Sequence, residues 1–192
     1  MRLFDTHAHL DFPKLHDRLD DVLENAKKNG VERIVTIGAS RGFESNVRAL
    51  DIANNHANIW CTAGIHPHDA EMATDDIIDR IRDEFAHLPR VVGIGETGLD
   101  YYYDNAPKIQ QQKVFRRFLK IANDVDKPII IHSRDADQDC IDILRESGTT
   151  QGILHCFTGG RAMAEALLAP DLDFYLSFSG ICLLYTSPSP RD

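Results

Sequence analysis

Seven short apolar runs separated by longer amphipathic stretches predict an α/β protein whose parallel strands are linked by crossover helices. Two further observations narrow this to a (β/α) barrel. Several of the runs are continuous Val/Ile stretches of the kind buried on both faces of a parallel sheet. The residues with unusual chemistry fall where the runs end, on the rim that carries barrel active sites. A doubly wound open sheet fits the same alternation. A dinucleotide-binding sheet, however, carries G-x-G-x-x-G after its first strand, where this chain reads DTHAHLD.

The strands are expected at Arg2 to Asp5, Arg33 to Ile37, Ile59 to Ala63, Val91 to Gly95, Pro128 to Ile131, Gly152 to Leu154 and Phe174 to Phe178. Between the first two, Leu19, Val22, Leu23 and Ala26 form an apolar stripe at helical spacing, and Gly30 can end that helix. In TDDIIDRIRDEF, Thr74 caps the first turn and Asp75 and Asp76 suit its positive end, while Ile77, Ile78, Ile81 and Phe85 face the core. Val114, Phe118, Ile121 and Val125 do the same in the following helix. Each right-handed unit lays a strand beside the previous one.

A chain of 192 residues, 43% hydrophobic and 27% charged, has enough apolar content for one domain with its own core. Its formal net charge of -9 argues against a polycation gripping nucleic acid by bulk charge, so any phosphate contact has to be local. The four cysteines are widely spaced, without a C-x-x-C pair, and the opening MRLFDTHAHL has no apolar stretch of signal-peptide or membrane-spanning length. Reduced thiols, a cytoplasmic location and no membrane partner are expected.

The strand ends supply THAH, GIHPHD, GETGLD, IIHSRDA and LHCFTGG in order. Residues two apart on an extended strand point the same way, so His7 and His9 can converge on one cation that removes the repulsion between them. One histidine at one strand end is usually structural; five rim segments rich in His, Glu and Asp are hard to read as packing. His7, His9, Glu96, His132 and His155 offer four imidazoles and a carboxylate, enough for two divalent ions bridged by Glu96. Gly95 and Gly98 flank Glu96 and leave room for a tight backbone there.

The remaining candidates carry two readings each. Pro67 keeps its loop extended, so His66 and His68 either face a substrate or are ordinary exposed loop residues. Arg134 can meet a phosphate and Asp135 can orient a ligand, or the two are a plain ion pair. Tyr101, Tyr102 and Tyr103 stack on a nucleobase or simply cover the barrel mouth. Cys156 is expected in the core, on the opposite face from His155, and His16, His56 and His87 at the solvated surface.

At these residues the chain resembles the TatD family of metal-dependent deoxyribonucleases, within the amidohydrolase-like barrels. DTHAHLD, GIHPHD, GETGLDYYY, IIIHSRDA and LHCFTG look like that family's successive signatures, in order, across residues 1 to 181. The resemblance implies a TIM-type barrel and a divalent metal site; for the two ions, four imidazoles and a carboxylate suit Zn²⁺, while phosphodiester chemistry is often run with Mg²⁺ or Mn²⁺. It also implies hydrolysis of DNA phosphodiesters, often as a 3′-to-5′ exonuclease. It makes His7, His9, Glu96, His132 and His155 metal ligands, Glu96 a catalytic residue, and His66 a substrate contact.

The family continues with a further helix and an eighth strand bearing E-T-D-x-P-Y, whose Asp completes the site. This chain reads CLLYTSPSPRD after FYLSFSGI, and two prolines within its last five residues oppose a helix. The expectation is therefore an incomplete barrel over 1–181, with seven strands present, the eighth missing, the first strand left as an edge and activity impaired. Residues 182–192 are expected to be an artefactual or disordered tail. Two rivals share the scaffold: an amide, ester or lactone hydrolase, aminoacyl-tRNA deacylation included, and a non-catalytic metal-binding remnant.

Overall fold

The computed structural model describes residues 2–179; the expected tail at 182–192 lies outside them. Seven parallel strands form one sheet in the order of the chain: β1 (Leu3–Ala8), β2 (Val31–Gly38), β3 (Ile59–Ala63), β4 (Val91–Asp100), β5 (Ile129–Arg134), β6 (Gln151–Leu154) and β7 (Asp173–Leu176). The sheet curls into an α/β half-barrel, and its helices α1 (Pro13–His16), α2 (Leu19–Lys28), α3 (Phe43–Asn55), α4 (Asp75–Arg80), α5 (Lys108–Val125), α6 (Asp137–Ser147) and α7 (Arg161–Leu167) fall in the crossovers. Among the described residues β1 pairs only with β2, and its Phe4 is 50% exposed, as an edge position implies.

The core follows the apolar periodicity. Ile34, Ile37, Ile59, Ile94, Ile129 and Ile131 are buried on the strands, and Val114, Phe115, Phe118, Leu119 and Ile121 on the inner face of α5. Each such side chain contributes about 1.5–3 kcal/mol by leaving water. Thr74 Oγ1 accepts the Ile77 amide at 3.3 Å and caps α4 as expected. That helix then widens into a π-helical turn, Ile81–Phe85, which still buries Ile81 and Phe85, whereas Ile77 is only partly covered.

Three strands run well past their expected ends. β1 reaches Ala8, β4 reaches Asp100 and β5 reaches Arg134. The ladder is made by backbone groups, so polar side chains do not end it: Gly98, Leu99 and Asp100 pair with His132, Ser133 and Arg134. Gly98, at φ +137°, allows this approach, because a Cβ there would collide with the His132 carbonyl. Residues expected in rim loops therefore sit on rigid strand ends. No helix among the described residues is long and apolar enough to cross a membrane.

Candidate metal centre

Glu96 is the centre of the rim. It is buried on β4, with Oε2 turned to the β1 histidines at 3.3 Å from His7 Nε2 and 3.8 Å from His9 Nε2. Oε1 lies 3.2 Å from His132 Nδ1 and 3.9 Å from His66 Nε2. One carboxylate thus serves two halves of a cluster.

The ring nitrogens of His7 and His9 are 3.3 Å apart, so the convergence expected of this pair is present although His9 lies just past the end of β1. Loop anchors hold it: the Leu10 amide donates to Thr36 Oγ1 at 3.3 Å and Ser45 Oγ donates to the buried Asp11 Oδ2 at 2.6 Å. His155 continues the β6 ladder by donating its amide to Ile131 O at 2.8 Å, and its ring stacks on that of His7, centroids 3.3 Å apart. His66 is placed by its own amide bond to Ala39 O at 2.9 Å and by Asn46, whose side chain clamps both backbone groups of Gly64.

Burial decides most of the charges. It lowers His66 to about 3 and His155 to about 4, and it also lowers His9, so these rings are neutral near pH 7. Burial alone would raise Glu96, but hydrogen bonds from His132 and His7 hold it well below the usual carboxylate range. His132 goes the other way. Burial would lower it, yet hydrogen bonds to Asp100 and Glu96 push it up to about 9.

Two carboxylates and a hydrogen-bond pattern assign the tautomers. His132 Nε2 donates to Asp100 Oδ2 at 2.9 Å and Nδ1 to Glu96 Oε1 at 3.2 Å, so the ring is cationic near pH 7 and Nε2 is the nitrogen that keeps its proton when Nδ1 gives one up. His66 Nδ1 accepts the His68 amide at 3.2 Å, which puts the neutral ring's proton on Nε2, toward the cavity. His7, Glu96 and His155, and likewise His66, Glu96 and His132, bring donor atoms within 4.8 Å of one another. Imidazole nitrogens crowded against a buried carboxylate form a donor set that suits a divalent cation. His66, with its proton turned inward, suits a hydrogen bond to a bound group better than coordination.

One participant was not singled out from the sequence. Asp100, 1% exposed, accepts His68 Nε2 and His132 Nε2 on Oδ2, each at 2.9 Å, and the amides of Tyr102 and Tyr103 on Oδ1, each at 3.0 Å. The available signal was its place four residues beyond Glu96 on one extended segment, where even spacing shares a face. His68, left between two readings, belongs to this group.

Arg134 does not reach the cluster. It lines an adjoining cavity with its guanidinium carbon 3.9 Å from the Tyr102 ring centroid. Tyr102 and Tyr103 are exposed at the mouth, whereas the Tyr101 hydroxyl donates to Asp139 at 2.6 Å. Cys156 corrects an expectation: it is half-buried, not core, with Sγ 2.9 Å from Ser179 Oγ. β6 has already ended and φ is +47° there, so strand alternation no longer applies. His16 and His87 are exposed and His56 is half-buried at the end of α3.

A family model described as TatD related DNase matches residues 4–191. The metal-dependent hydrolase YabD of Bacillus subtilis, itself called uncharacterized, is 41% identical over 192 residues, 99% of this chain and 73% of the relative. The 3′-5′ ssDNA/RNA exonuclease TatD of Cronobacter turicensis is 35% identical over 167 residues, 86% of this chain and 61% of the relative. Among solved structures, the TatD homologue YJJV of Escherichia coli superposes with a TM-score of 0.84 at 28% identity, covering 91% of this chain and 67% of that one.

Proposed function

This chain belongs to the TatD-related DNase family and is a metal-dependent hydrolase, and from that premise we propose that it cleaves the phosphodiester bonds of DNA as a 3′-to-5′ exonuclease in the cytoplasm. The observation that carries the reading is the division of Glu96 between two imidazole groups, one oxygen to each.

His7, His9, Glu96, His132 and His155 would hold two divalent ions. When bound, Mg²⁺, Mn²⁺ or Zn²⁺ would supply Lewis acidity toward the phosphoryl oxygens and an acidified water for in-line displacement. The protein's own groups do the rest. Glu96 orients the attacking water, its oxygens committed one to each half of the cluster. His66, neutral and with its Nε2 proton facing the cavity, donates to a phosphate oxygen. Arg134 receives a neighbouring phosphate at the mouth. A net charge of -9 does not oppose this, since the compensating charge is concentrated at the site.

The test is hydrolysis of a 5′-labelled single-stranded DNA, with and without added metal, beside amide, ester and lactone substrates. Metal-dependent shortening from the 3′ end, lost in Glu96→Ala, is expected. Turnover of an amide or lactone with DNA left intact would remove the nuclease reading while leaving the metal centre in place.

A further inference from the structure

Two arginines on different arcs of the rim are each laid against an aromatic ring. Arg41 follows β2, and its guanidinium carbon lies 5.3 Å from the centroid of Phe12, which follows β1. Its backbone is held in a left-handed conformation, φ +62°, with its amide donating to Asp69 Oδ2 at 2.6 Å. Arg134 ends β5 and lies over Tyr102, with Tyr103 next to it at 5.0 Å.

Among the described residues neither guanidinium has a carboxylate within ion-pair reach, whereas Arg80, Arg82, Arg116 and Arg117 all do. On a strongly acidic chain, two cations left without anionic partners at the same mouth are available for an anion from outside. The cavities they line, about 430 Å³ each, share His132 and His155 as their common wall. The metal cluster thus stands between the two arginine–aromatic pairs.

A guanidinium beside an aromatic face matches both parts of a nucleotide, the charge for the phosphate and the π-face for the base. We infer that Arg41 with Phe12 and Arg134 with Tyr102 are two nucleotide subsites, one on each side of the scissile phosphate. The substrate is then a single-stranded polynucleotide laid across the mouth, with a dinucleotide as its smallest well-held unit. This rests on the phosphodiesterase reading and deepens it.

Thymidine 3′-(p-nitrophenyl phosphate) and thymidine 5′-(p-nitrophenyl phosphate) each keep a nucleoside on one side only, and separate the two subsites. Arg41→Ala should lower kcat/KM about tenfold on one ester and far less on the other, with Arg134→Ala showing the opposite preference; about tenfold lies within the lower part of the range for one stacked base. On the dinucleotide both variants should lose. Arg41 is exposed, so melting temperature should hold. Equal losses on both esters would overturn the two-sided site and leave the phosphodiesterase reading intact. No turnover of any diester by the wild-type chain would overturn that reading instead. Anisotropy of a labelled oligothymidylate then decides the inference: each variant should bind about tenfold more weakly, and unchanged binding ends it.

Discussion

Asp100 and His132 are joined at 2.9 Å through Oδ2 and Nε2, and this bond turns the opposite ring nitrogen toward Glu96 at 3.2 Å. A carboxylate behind a metal-facing imidazole fixes both its proton and its orientation. Because Asp100 also receives two amides from the tyrosine segment, it ties the mouth of the cavity to its floor.

Asp100→Asn tests that link. The amide keeps an oxygen for the Tyr102 and Tyr103 amides, so its nitrogen faces His132, which must then carry its proton on Nδ1. Affinity for Zn²⁺ should fall by roughly 10- to 100-fold, the usual cost of losing such a partner. The visible spectrum of the Co²⁺-loaded protein should change while the melting temperature stays near wild type. Metal affinity equal to wild type would show that Asp100 does not position His132.

Metal binding should release protons. His132, pushed up to about 9, is protonated at pH 7.5, and a cation at Nδ1 displaces that proton. Calorimetry in HEPES and in Tris, which differ in ionisation enthalpy, should give about one proton released per His132 site. A heat that does not depend on the buffer would place the cation elsewhere.

Without metal, stability should peak near neutrality. His66 and His155 titrate at about 3 and about 4 when folded but at 6.5 when unfolded, so the unfolded chain gains protons first and stability falls as pH drops below 6.5. His132 has the opposite sign: its contribution is complete below pH 6.5 and disappears as pH rises through about 9. Melting curves in EDTA from pH 4 to 9.5 should therefore fall on both sides. A flat profile would mean that these rings are not held as described.

The core should respond independently of the site. Phe118→Ala on α5 removes a fully buried ring and should cost about 3–5 kcal/mol in chemical denaturation. Ile109→Ala on the same helix, at a residue 82% exposed, should change stability by less than about 0.5 kcal/mol. Similar losses for both would contradict the inner face assigned to α5.

Much of the fold was legible because strands and helices here are encoded by local periodicity. Ile59 to Ala63 is a strand with the expected bounds, and Thr74 caps its helix as its position implies. The ends of β1, β4 and β5 were not legible, since polar residues such as His132 and Asp100 enter the ladder through backbone groups that say nothing about their side chains. Cys156 misled for a related reason: alternation was carried past the point where the strand stops.

The sequence by itself determined which chemistry could be present: His7, His9, Glu96, His132 and His155 were marked by their residue types and by recurring at the ends of apolar runs. Only the tertiary structure decided how they share their work. Which oxygen of Glu96 meets which ring, which nitrogen of His132 faces Glu96, and that Asp100 and His68 belong beside them depend on the register between strands and the approach of β4 to β5 at Gly98. Those are relations between residues dozens of positions apart, settled by packing and backbone pairing rather than by any local pattern.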